Sequence, residues 1–304
     1  MAEEVQEKKD VMRPLKEWYE KNTNRMLVLP AVVVAIAIII IVNFAVTNED
    51  IMEKDVTLKG GLTATILTEK PVDIAALQER FIQIFGDAAV RRIDEFGTDR
   101  QVGIIAEVST ENEPAVKEVL AQELNIGITE ENYSVEVIGS TLSNQFYKQM
   151  LTAIILAFIF MAVVVFIVFR TFIPSAAVVL AALFDIIVTL AVVDLLHIRV
   201  STTGISAFLL LIGYSIDTDI LLTTRVLRRK TGTLMERVFG AMKTGMTMTT
   251  TTIVALIAGL LISESAAIEQ MFIIIVIGLL TDVIMTYAMN APIIIHYARK
   301  KGMQ

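Results

Sequence analysis

The chain has 304 residues, 55% of them hydrophobic and 19% charged, with a formal net charge of -7 at pH 7. A soluble protein of this length would expose too much of that apolar surface to water, so the composition indicates a membrane protein. The negative charge argues against a nucleic-acid binder. The chain contains no cysteine, and its two histidines lie far apart in the sequence. We therefore expect no disulfide, no thiol chemistry, no metal site and no cofactor.

The first apolar run covers residues 26–46 and follows a polar, charged leader at residues 1–25. The run is long enough to cross a bilayer, and no small-residue cleavage site ends it. We interpret it as a signal anchor that forms the first transmembrane helix. In the leader, Trp18 and Tyr19 predict an interfacial anchor against membrane lipid.

Residues 47–148 are polar and acidic, and their alternating periods predict a separate folded domain. Asp73 is expected to cap its first helix, and Pro114 stands in the first turn of the second. The βαββαβ order is that of a ferredoxin-like α+β domain, a fold that does not by itself indicate a function. The elements are strands at 61–67, 89–95, 101–108 and 134–138, with helices at 73–85 and 113–124.

Five further apolar runs lie in the second half of the chain, before a short tail at residues 298–304. With the first run they predict a polytopic α-helical membrane protein with six transmembrane helices, five of them within residues 149–297. The ends of each run are uncertain by a few residues. The runs cover residues 149–169, 172–196, 202–222, 245–262 and 271–297.

Basic residues are concentrated on one side of this topology. Lys and Arg crowd the leader, the bend at Arg170, the loop at residues 225–243 and the tail. Because such residues are retained on the cytoplasmic side, we expect both termini in the cytoplasm. The α+β domain at residues 47–148 is then expected on the outside of the cytoplasmic membrane.

Ionisable side chains inside the predicted spans are the most informative residues, because each costs several kcal/mol unless it is paired or hydrated. A rise of about 1.5 Å per residue places Asp217 and Asp282 both about 20 Å from the outer surface, with Asp185 nearer the outer half. Asp194, near the outer mouth, is interpreted as interfacial. The candidates for proton or ion coupling are Asp185, Asp217, Asp219, Asp282, Arg225 and Lys243.

Several short motifs resemble those of a known family. The fourth predicted helix carries Gly213, Tyr214, Ser215 and Ile216 before Asp217. With Arg225 downstream, this resembles the G-Y-S-I-N-D-T…D-R motif of the SecF branch of the SecD/SecF family. The outer domain opens with a motif similar to that family's L-K-G-G element, formed by Leu58, Lys59, Gly60 and Gly61.

Two further positions match, since Asp185 falls on the family's third-helix aspartate and Lys243 on the arginine of its fifth-helix R-T pair. The resemblance covers nearly the whole chain and is to the archaeal-type branch, within the resistance–nodulation–division superfamily. The departures from the bacterial pattern are Asp217 for asparagine, Thr218 for aspartate, Thr224 for aspartate and Lys243 for arginine. If protons drive the bacterial protein through the replaced aspartate, these departures imply either that the proton site has moved to Asp217 or Asp219 or that the coupling differs.

The resemblance implies a non-enzymatic subunit that pairs with SecD and associates with the SecY-like channel of the Sec translocon. It would help to draw an exported polypeptide across the membrane, using the proton-motive force. Protonation of Asp217 or Asp219 would release a pairing with Lys243 or Arg225, and the resulting helix shift would tilt the outer domain.

Two alternatives stay open at this point. The chain could be half of a small-molecule or lipid transporter of the same superfamily. It could also be an intramembrane aspartyl protease in which Asp217 and Asp282 face each other, although no G-x-G-D signature is present.

Overall fold

The computed structural model describes residues 13–48, 50–95, 100–229, 231–263 and 265–303. Residues 1–12 of the predicted leader and the predicted turn at Gly97 lie outside these ranges. The elements, in chain order, are α1 (Arg13–Met26), α2 (Val28–Asn48), α3 (Val56–Lys59), β1 (Gly61–Leu67), α4 (Ile74–Phe85), β2 (Ala88–Asp94), β3 (Gln101–Val108), α5 (Glu113–Leu124), β4 (Tyr133–Ile138), α6 (Ser140–Phe169), α7 (Phe172–Leu195), α8 (Thr202–Arg228), α9 (Leu234–Ile262), α10 (Ala266–Met285), a π-helical turn (Thr286–Asn290) and α11 (Ala291–Lys300).

The fold class predicted from the sequence is confirmed. Six helical segments within the described residues are long and apolar enough to cross a membrane: α1–α2, α6, α7, α8, α9 and α10–α11. The remaining elements form a four-stranded antiparallel sheet of order β2-β3-β1-β4, with α4 and α5 in the βαββαβ positions.

Alternating side chains build the core of the α/β domain. Ala64 of β1 lies opposite Ala106 of β3 and Val135 of β4, so the apolar residues of three strands share one face. Phe81 of α4 and Leu120 of α5 are fully buried against that face. The Asp73 cap is confirmed, since its carboxylate accepts the Ala76 N–H at 3.1 Å.

Two membrane helices begin earlier than the apolar runs within them. α6 has 30 residues and is therefore about 45 Å long, against about 30 Å of hydrocarbon. Its polar first turns, from Ser140, project beyond the membrane and join β4 directly. α9 begins at Leu234, where Thr233 and Glu236 form a reciprocal capping box. The apolar runs mark the part of each helix that lies in lipid, whereas capping decides where the helix starts.

Burial divides the membrane helices into two groups. In the most apolar stretch of α7 and of α8, half of the residues are buried, and in that of α10–α11 the share is 56%. In α1–α2, α6 and α9 the buried share is only 17%, 11% and 11%. α7, α8 and α10 therefore form the centre of the membrane domain, the place where an ionisable side chain can be shielded from lipid.

The leader helix α1 is part of this bundle. The Tyr19 ring is 3% exposed, and it meets the Phe239 ring edge-on at 5.6 Å. Its hydroxyl donates to the Tyr287 carbonyl at 2.5 Å. In a π-helical turn the Tyr287 carbonyl would accept a hydrogen bond from the backbone N–H of the residue five positions later. That residue is Pro292, which has no backbone N–H. The prediction that Tyr19 lies at a lipid surface is therefore wrong. The side chain is buried, and its hydroxyl takes the place of the backbone donor that Pro292 lacks.

Candidate ion-coupling site

Three carboxylates meet at the centre of the membrane domain. Asp185 of α7, Asp219 of α8 and Asp282 of α10 are 0%, 0% and 1% exposed. We call these three residues the carboxylate cluster. Each belongs to one of the three central helices, so the packing of α7, α8 and α10 removes all three from both lipid and bulk water.

Asp185 and Asp282 form one half of the cluster. The Ser215 hydroxyl donates to Asp185 Oδ2 at 2.5 Å, and the Thr218 hydroxyl lies 3.0 Å from Asp282 Oδ2. Ser215 and Thr218 both belong to α8, so one turn of this helix places a hydroxyl beside each carboxyl group. Asp185 Oδ1 has no hydrogen-bond partner among the described residues.

Asp219 forms the other half. Its Oδ1 accepts from the Asn290 amide at 2.7 Å and from the Thr286 hydroxyl at 3.0 Å. The same hydroxyl lies 3.2 Å from Asp282 Oδ1. A threonine hydroxyl carries one hydrogen, so it can donate to only one of the two carboxylates at a time. The second carboxyl group can form a hydrogen bond with the Thr286 oxygen only if it is protonated and acts as the donor. The hydrogen bonding of this bridge therefore depends on a single proton.

The π-helical turn sets the geometry of this bridge. It runs from Thr286 to Asn290, the two residues that donate to Asp219. A single π-helical turn inside a helix is uncommon and often lies at a functional site. The turn brings both donors to one carboxylate oxygen, while Asp219 Oδ2 has no hydrogen-bond partner among the described residues.

The expected pairing with basic side chains is not found. Within the described ranges, no Lys or Arg forms an ion pair with the carboxylate cluster. The Arg225 guanidinium instead donates to the Gly240 carbonyl at 2.6 Å and to the Thr244 hydroxyl at 2.7 Å, which ties α8 to α9. Lys243 is exposed on the outer surface of α9. The prediction that either residue pairs with the inner carboxylates is therefore corrected.

Asp217 lies outside the carboxylate cluster. Its side chain is exposed in a groove beside α9, whereas Asp219 is fully buried. Two residues along an α-helix turn the side chain by about 200°, so the two aspartates point to opposite faces of α8. A dyad of Asp217 with the buried Asp282 is therefore not formed, which removes the geometric basis of the protease alternative.

A second set of contacts joins the α+β domain to the membrane domain, at the loop between α7 and α8. We call the α+β domain the outer domain, after the position expected from the distribution of basic residues. The Arg199 guanidinium forms ion pairs with Glu53 at 3.0 Å and with Asp87 at 2.7 Å. Burial acts to raise the pKa of Asp87, but the charges of Arg199 and Lys59 outweigh it and hold that pKa below its ordinary value. We call the contacts of this loop with the outer domain the junction.

The junction also holds the first turns of two central helices. The Thr202 N–H, at the start of α8, donates to the Thr57 hydroxyl at 3.0 Å. The side-chain carbonyl of Gln270 in α10 accepts a hydrogen bond from the Ser201 N–H at 3.1 Å. The side-chain NH₂ of Gln270 donates to the backbone carbonyl of Arg199. α8 therefore carries a carboxylate of the cluster and is tied directly to the outer domain at its first turn, while α10 is held at its first turn by the loop that bears Arg199.

A family model for the C-terminal region of the protein export membrane proteins SecD and SecF matches residues 118–300, more than half of the chain. The chain belongs to the SecD/SecF family. It is 37% identical to the SecF protein-export membrane protein of Methanothermobacter thermautotrophicus, over 91% of this chain and 93% of that one. With the SecF protein of Pyrococcus furiosus it shares 33% identity, over 97% and 98% of the two chains.

A solved structure shares the fold. The crystal structure of SecDF, a translocon-associated membrane protein from Thermus thermophilus, matches with a TM-score of 0.71 at 16% identity. The match covers 92% of this chain but 38% of that one. The chain is thus a multi-pass protein-export membrane protein of the SecF type, and it spans little more than a third of the solved SecDF chain.

The two SecD/SecF motifs lie in different environments. On α8, Ser215 enters the carboxylate cluster, whereas Gly213 and Tyr214 are on the exposed face. In the second motif, Lys59 pairs with Asp87 at 3.2 Å. Gly60 packs so closely that a Cβ atom would lie 2.5 Å from the Ser140 Cα, and a Cβ on Gly61 would lie 2.3 Å from the Val108 carbonyl oxygen. Gly60 thus permits the close packing of the outer domain on α6, and Gly61 permits the close approach of β1 to the end of β3.

Sequence reasoning missed several polar residues that complete the cluster. Thr286 and Asn290 follow Asp282 at spacings of four and eight, so helical periodicity alone would place all three on roughly one face. Thr218 was noted only as a departure from the bacterial motif, yet its hydroxyl bonds to Asp282. Asp194, interpreted as interfacial, is 2% exposed at the end of α7, beside a cavity of about 670 Å³ at the junction.

Replacing Arg199 by glutamine should weaken the junction. The side chain is 19% exposed and neutralises two carboxylates, so we expect a loss of about 2–3 kcal/mol in unfolding free energy. The matched control is Arg80→Gln, whose ion pair with Glu123 is well exposed and should be worth less than about 1 kcal/mol. Circular-dichroism melting in detergent measures both variants. Equal losses would contradict a special role for Arg199.

The same variant has an expected pH dependence. A carboxylate whose pKa is lowered on folding adds stability above its ordinary pKa of about 4, and this is lost as the pH falls through the lowered value. Because Asp87 is of this kind, the difference between the wild type and Arg199→Gln should be constant from about pH 5 to 8. It should shrink only below about pH 4. A difference that disappears near neutrality would exclude the Asp87 contact as its source.

Proposed function

We propose that the chain is the SecF subunit of a SecD–SecF complex that uses the proton-motive force to promote polypeptide export through the Sec channel. The carboxylate cluster is the observation that carries this proposal. Three buried acids with no basic partner among the described residues are costly in a membrane unless protons compensate them. A helical bundle that served only as a scaffold for the outer domain would gain nothing from three buried acids.

The coupling step is loss or gain of a proton at Asp219. When Asp219 is ionised, its Oδ1 accepts from both Thr286 and Asn290. Protonation weakens these charge-assisted bonds and leaves the Thr286 hydroxyl to Asp282. The relative stability of two packings of α8 against α10 then depends on the proton, which is what a two-state coupling requires.

The junction carries this change to the outer domain. α8 is tied to it directly through Thr202, whereas α10 is tied to it through the loop before α8, because Gln270 bonds to Ser201 and Arg199. A shift of either helix along its axis therefore displaces the outer domain rather than being absorbed in a loose linker. In this proposal the outer domain lies outside the cytoplasmic membrane with both termini inside, as the distribution of basic residues indicates, and it acts on the emerging polypeptide.

Charged side chains exposed on both sides of α9 indicate that a membrane-embedded partner packs there. Asp217 lies in one exposed groove beside this helix, and Lys243, with Thr247, in another. Charged side chains do not face lipid without compensation, so a second polar-lined helical bundle must cover these surfaces. A SecD half fits this role, since the chain spans 38% of the solved SecDF relative and leaves the remainder of that architecture unfilled.

Co-purification tests this part of the proposal. The tagged chain is expected to recover SecD-like and SecY-like proteins from membranes, and Asp217→Lys should lower the recovery of the SecD-like protein about tenfold through charge repulsion or burial of an unpaired charge. Glu79→Lys, an exposed substitution on α4, is the control and should have no effect. Unchanged recovery with Asp217→Lys would contradict the assigned surface. Recovery of neither protein would favour the alternative of a small-molecule or lipid transporter half.

A further inference from the structure

Two threonine hydroxyls inside the membrane domain are unusual. Thr189 of α7 and Thr223 of α8 are each 0% exposed, and neither hydroxyl has a hydrogen-bond partner among the described residues. A threonine in a helix normally satisfies its hydroxyl by donating to the carbonyl one turn earlier. Thr247 and Thr281 do so here, at 2.8 Å and 3.1 Å. Burying a hydroxyl without a partner is costly, so these two fully buried exceptions require an explanation.

Their positions are systematic. Thr189 follows Asp185 by four residues and Thr223 follows Asp219 by four, so each hydroxyl lies one turn from a carboxylate on about the same helix face. α7 ends at the junction, whereas α8 begins there. Thr189 is therefore on the outer-domain side of the cluster, and Thr223 is on the opposite side. Asp219 Oδ2 also lacks a partner among the described residues.

A series of polar groups lies between these two threonines. Ser215 bonds to Asp185, while Thr286 bridges Asp282 and Asp219. One helical turn from Asp185 to Thr189 spans about 6 Å, and the eight residues from Ser215 to Thr223 span about 12 Å. The series thus extends about 18 Å along a hydrocarbon core of about 30 Å.

We propose that Thr189 and Thr223 are the relay residues that pass protons to and from the carboxylate cluster, Thr189 on the side of the outer domain and Thr223 on the opposite side. This inference rests on the proposed function, since it assigns the proton path of that same site. It adds two residues that carry no charge and belong to none of the family motifs described above.

Each transfer step is balanced at the hydroxyl oxygen. On the outer-domain side Thr189 is closed to bulk water in this state, so the proton arrives on a hydronium admitted by the two-state shift and forms a new O–H bond with a lone pair of the Thr189 oxygen. The original Thr189 proton leaves, directly or through water, to an oxygen of Asp185, and rotation about the C–O bond restores the starting state. Thr223 performs the same exchange between Asp219 and water on the other side. No electron is transferred, and no bond other than O–H is made or broken.

Valine tests both positions, because it has nearly the shape of threonine and lacks the hydroxyl. The complex with its SecD-like partner is reconstituted into liposomes, a transmembrane pH difference is imposed, and proton uptake is followed with an enclosed pH-sensitive dye. We expect Thr189→Val and Thr223→Val each to slow uptake about tenfold or more. Serine at either position should retain uptake, because it keeps the hydroxyl. Thr281→Val is the matched control, since that buried hydroxyl is already bonded to the Ile277 carbonyl, and it should stay close to the wild-type rate.

The outcomes separate this inference from the function on which it rests. Wild-type uptake in both valine variants, with uptake stopped by Asp219→Asn, would overturn the relay and leave the proposed function standing. Wild-type uptake in Asp219→Asn as well would overturn both. If a valine variant does not assemble, alanine and serine at the same position decide the matter: equal uptake by the two would overturn the relay, and loss only with alanine supports it.

Discussion

Replacing Asp219 by asparagine is expected to stop proton-coupled protein export while leaving the chain folded. Asparagine has nearly the same shape and keeps a carbonyl oxygen that accepts from Asn290 and Thr286. It cannot take up or release a proton, so the bridge that Thr286 makes to Asp282 no longer depends on protonation. We expect export to fall about a hundredfold, the usual range for loss of a group that must transfer a proton.

The control for this variant lies two residues away on the same helix. Asp217→Asn removes the charge but keeps a polar side chain of the same shape in the partner-facing groove of α8. Export should therefore stay within about threefold of the wild type, the effect expected of losing one partly shielded charge. Export of a secreted reporter, followed in cells that depend on this chain, measures both variants. If Asp217→Asn is the defective variant and Asp219→Asn exports normally, the site has been assigned to the wrong face of the helix.

Gly60→Ala is expected to destabilise the packing of the outer domain against the start of α6. Gly60 has φ of +90°, and a Cβ there would lie 2.5 Å from the Ser140 Cα and 2.7 Å from its nitrogen. These are backbone atoms at the start of α6, which cannot rotate away as a side chain would. We expect the strain and the clash together to cost about 3 kcal/mol or more.

Gly86 provides a matched comparison for this substitution. Its φ is +85°, nearly that of Gly60, but nothing lies within 4 Å of the position of a Cβ. Gly86→Ala should therefore show only the conformational cost, about 1 kcal/mol. Thermal unfolding of the two variants in detergent gives the difference directly. Similar midpoints would mean that the outer domain is not held against α6 as described.

The architecture could be predicted from the sequence because each element carries its own local signals. The period of two in β1, the Asp73 cap and Pro114 in the first turn of α5 all act within a few residues of the structure they specify. Helix ends were less predictable where polar turns continue a transmembrane helix. For α9 the decisive signal is the Thr233–Glu236 capping box, which lies outside the apolar run.

The candidate site was predictable in its depth but not in its orientation. Counting residues places Asp217 and Asp219 at nearly one level, and only the packing of α8 against α7 and α10 decides which of them is buried. Arg225 was expected to pair inward, yet the nearest acceptors for its guanidinium are the carbonyl of Gly240 and the hydroxyl of Thr244. A helix rotation of 100° per residue separates these outcomes, but the sequence does not tell which face meets a neighbour.

The junction was beyond the reach of sequence reasoning for a different reason. Arg199 is 112 residues from Asp87 along the chain, and Thr202 is 145 residues from Thr57. No periodicity connects residues so far apart, and their contact exists only after the outer domain has packed on the membrane helices. The L-K-G-G motif supported the family resemblance, but nothing in it indicated that the backbone of α6 packs against Gly60.

The protonation state of the carboxylate cluster can be observed directly by infrared difference spectroscopy. With the complex reconstituted in liposomes, imposing and collapsing a transmembrane pH difference should produce a reversible carboxylic-acid band. We expect that band to be lost in Asp219→Asn and kept in Asp217→Asn. A wild-type complex with no such band, or an Asp219→Asn complex with an unchanged one, would show that the buried acids exchange no proton with the gradient, and the coupling account would be wrong.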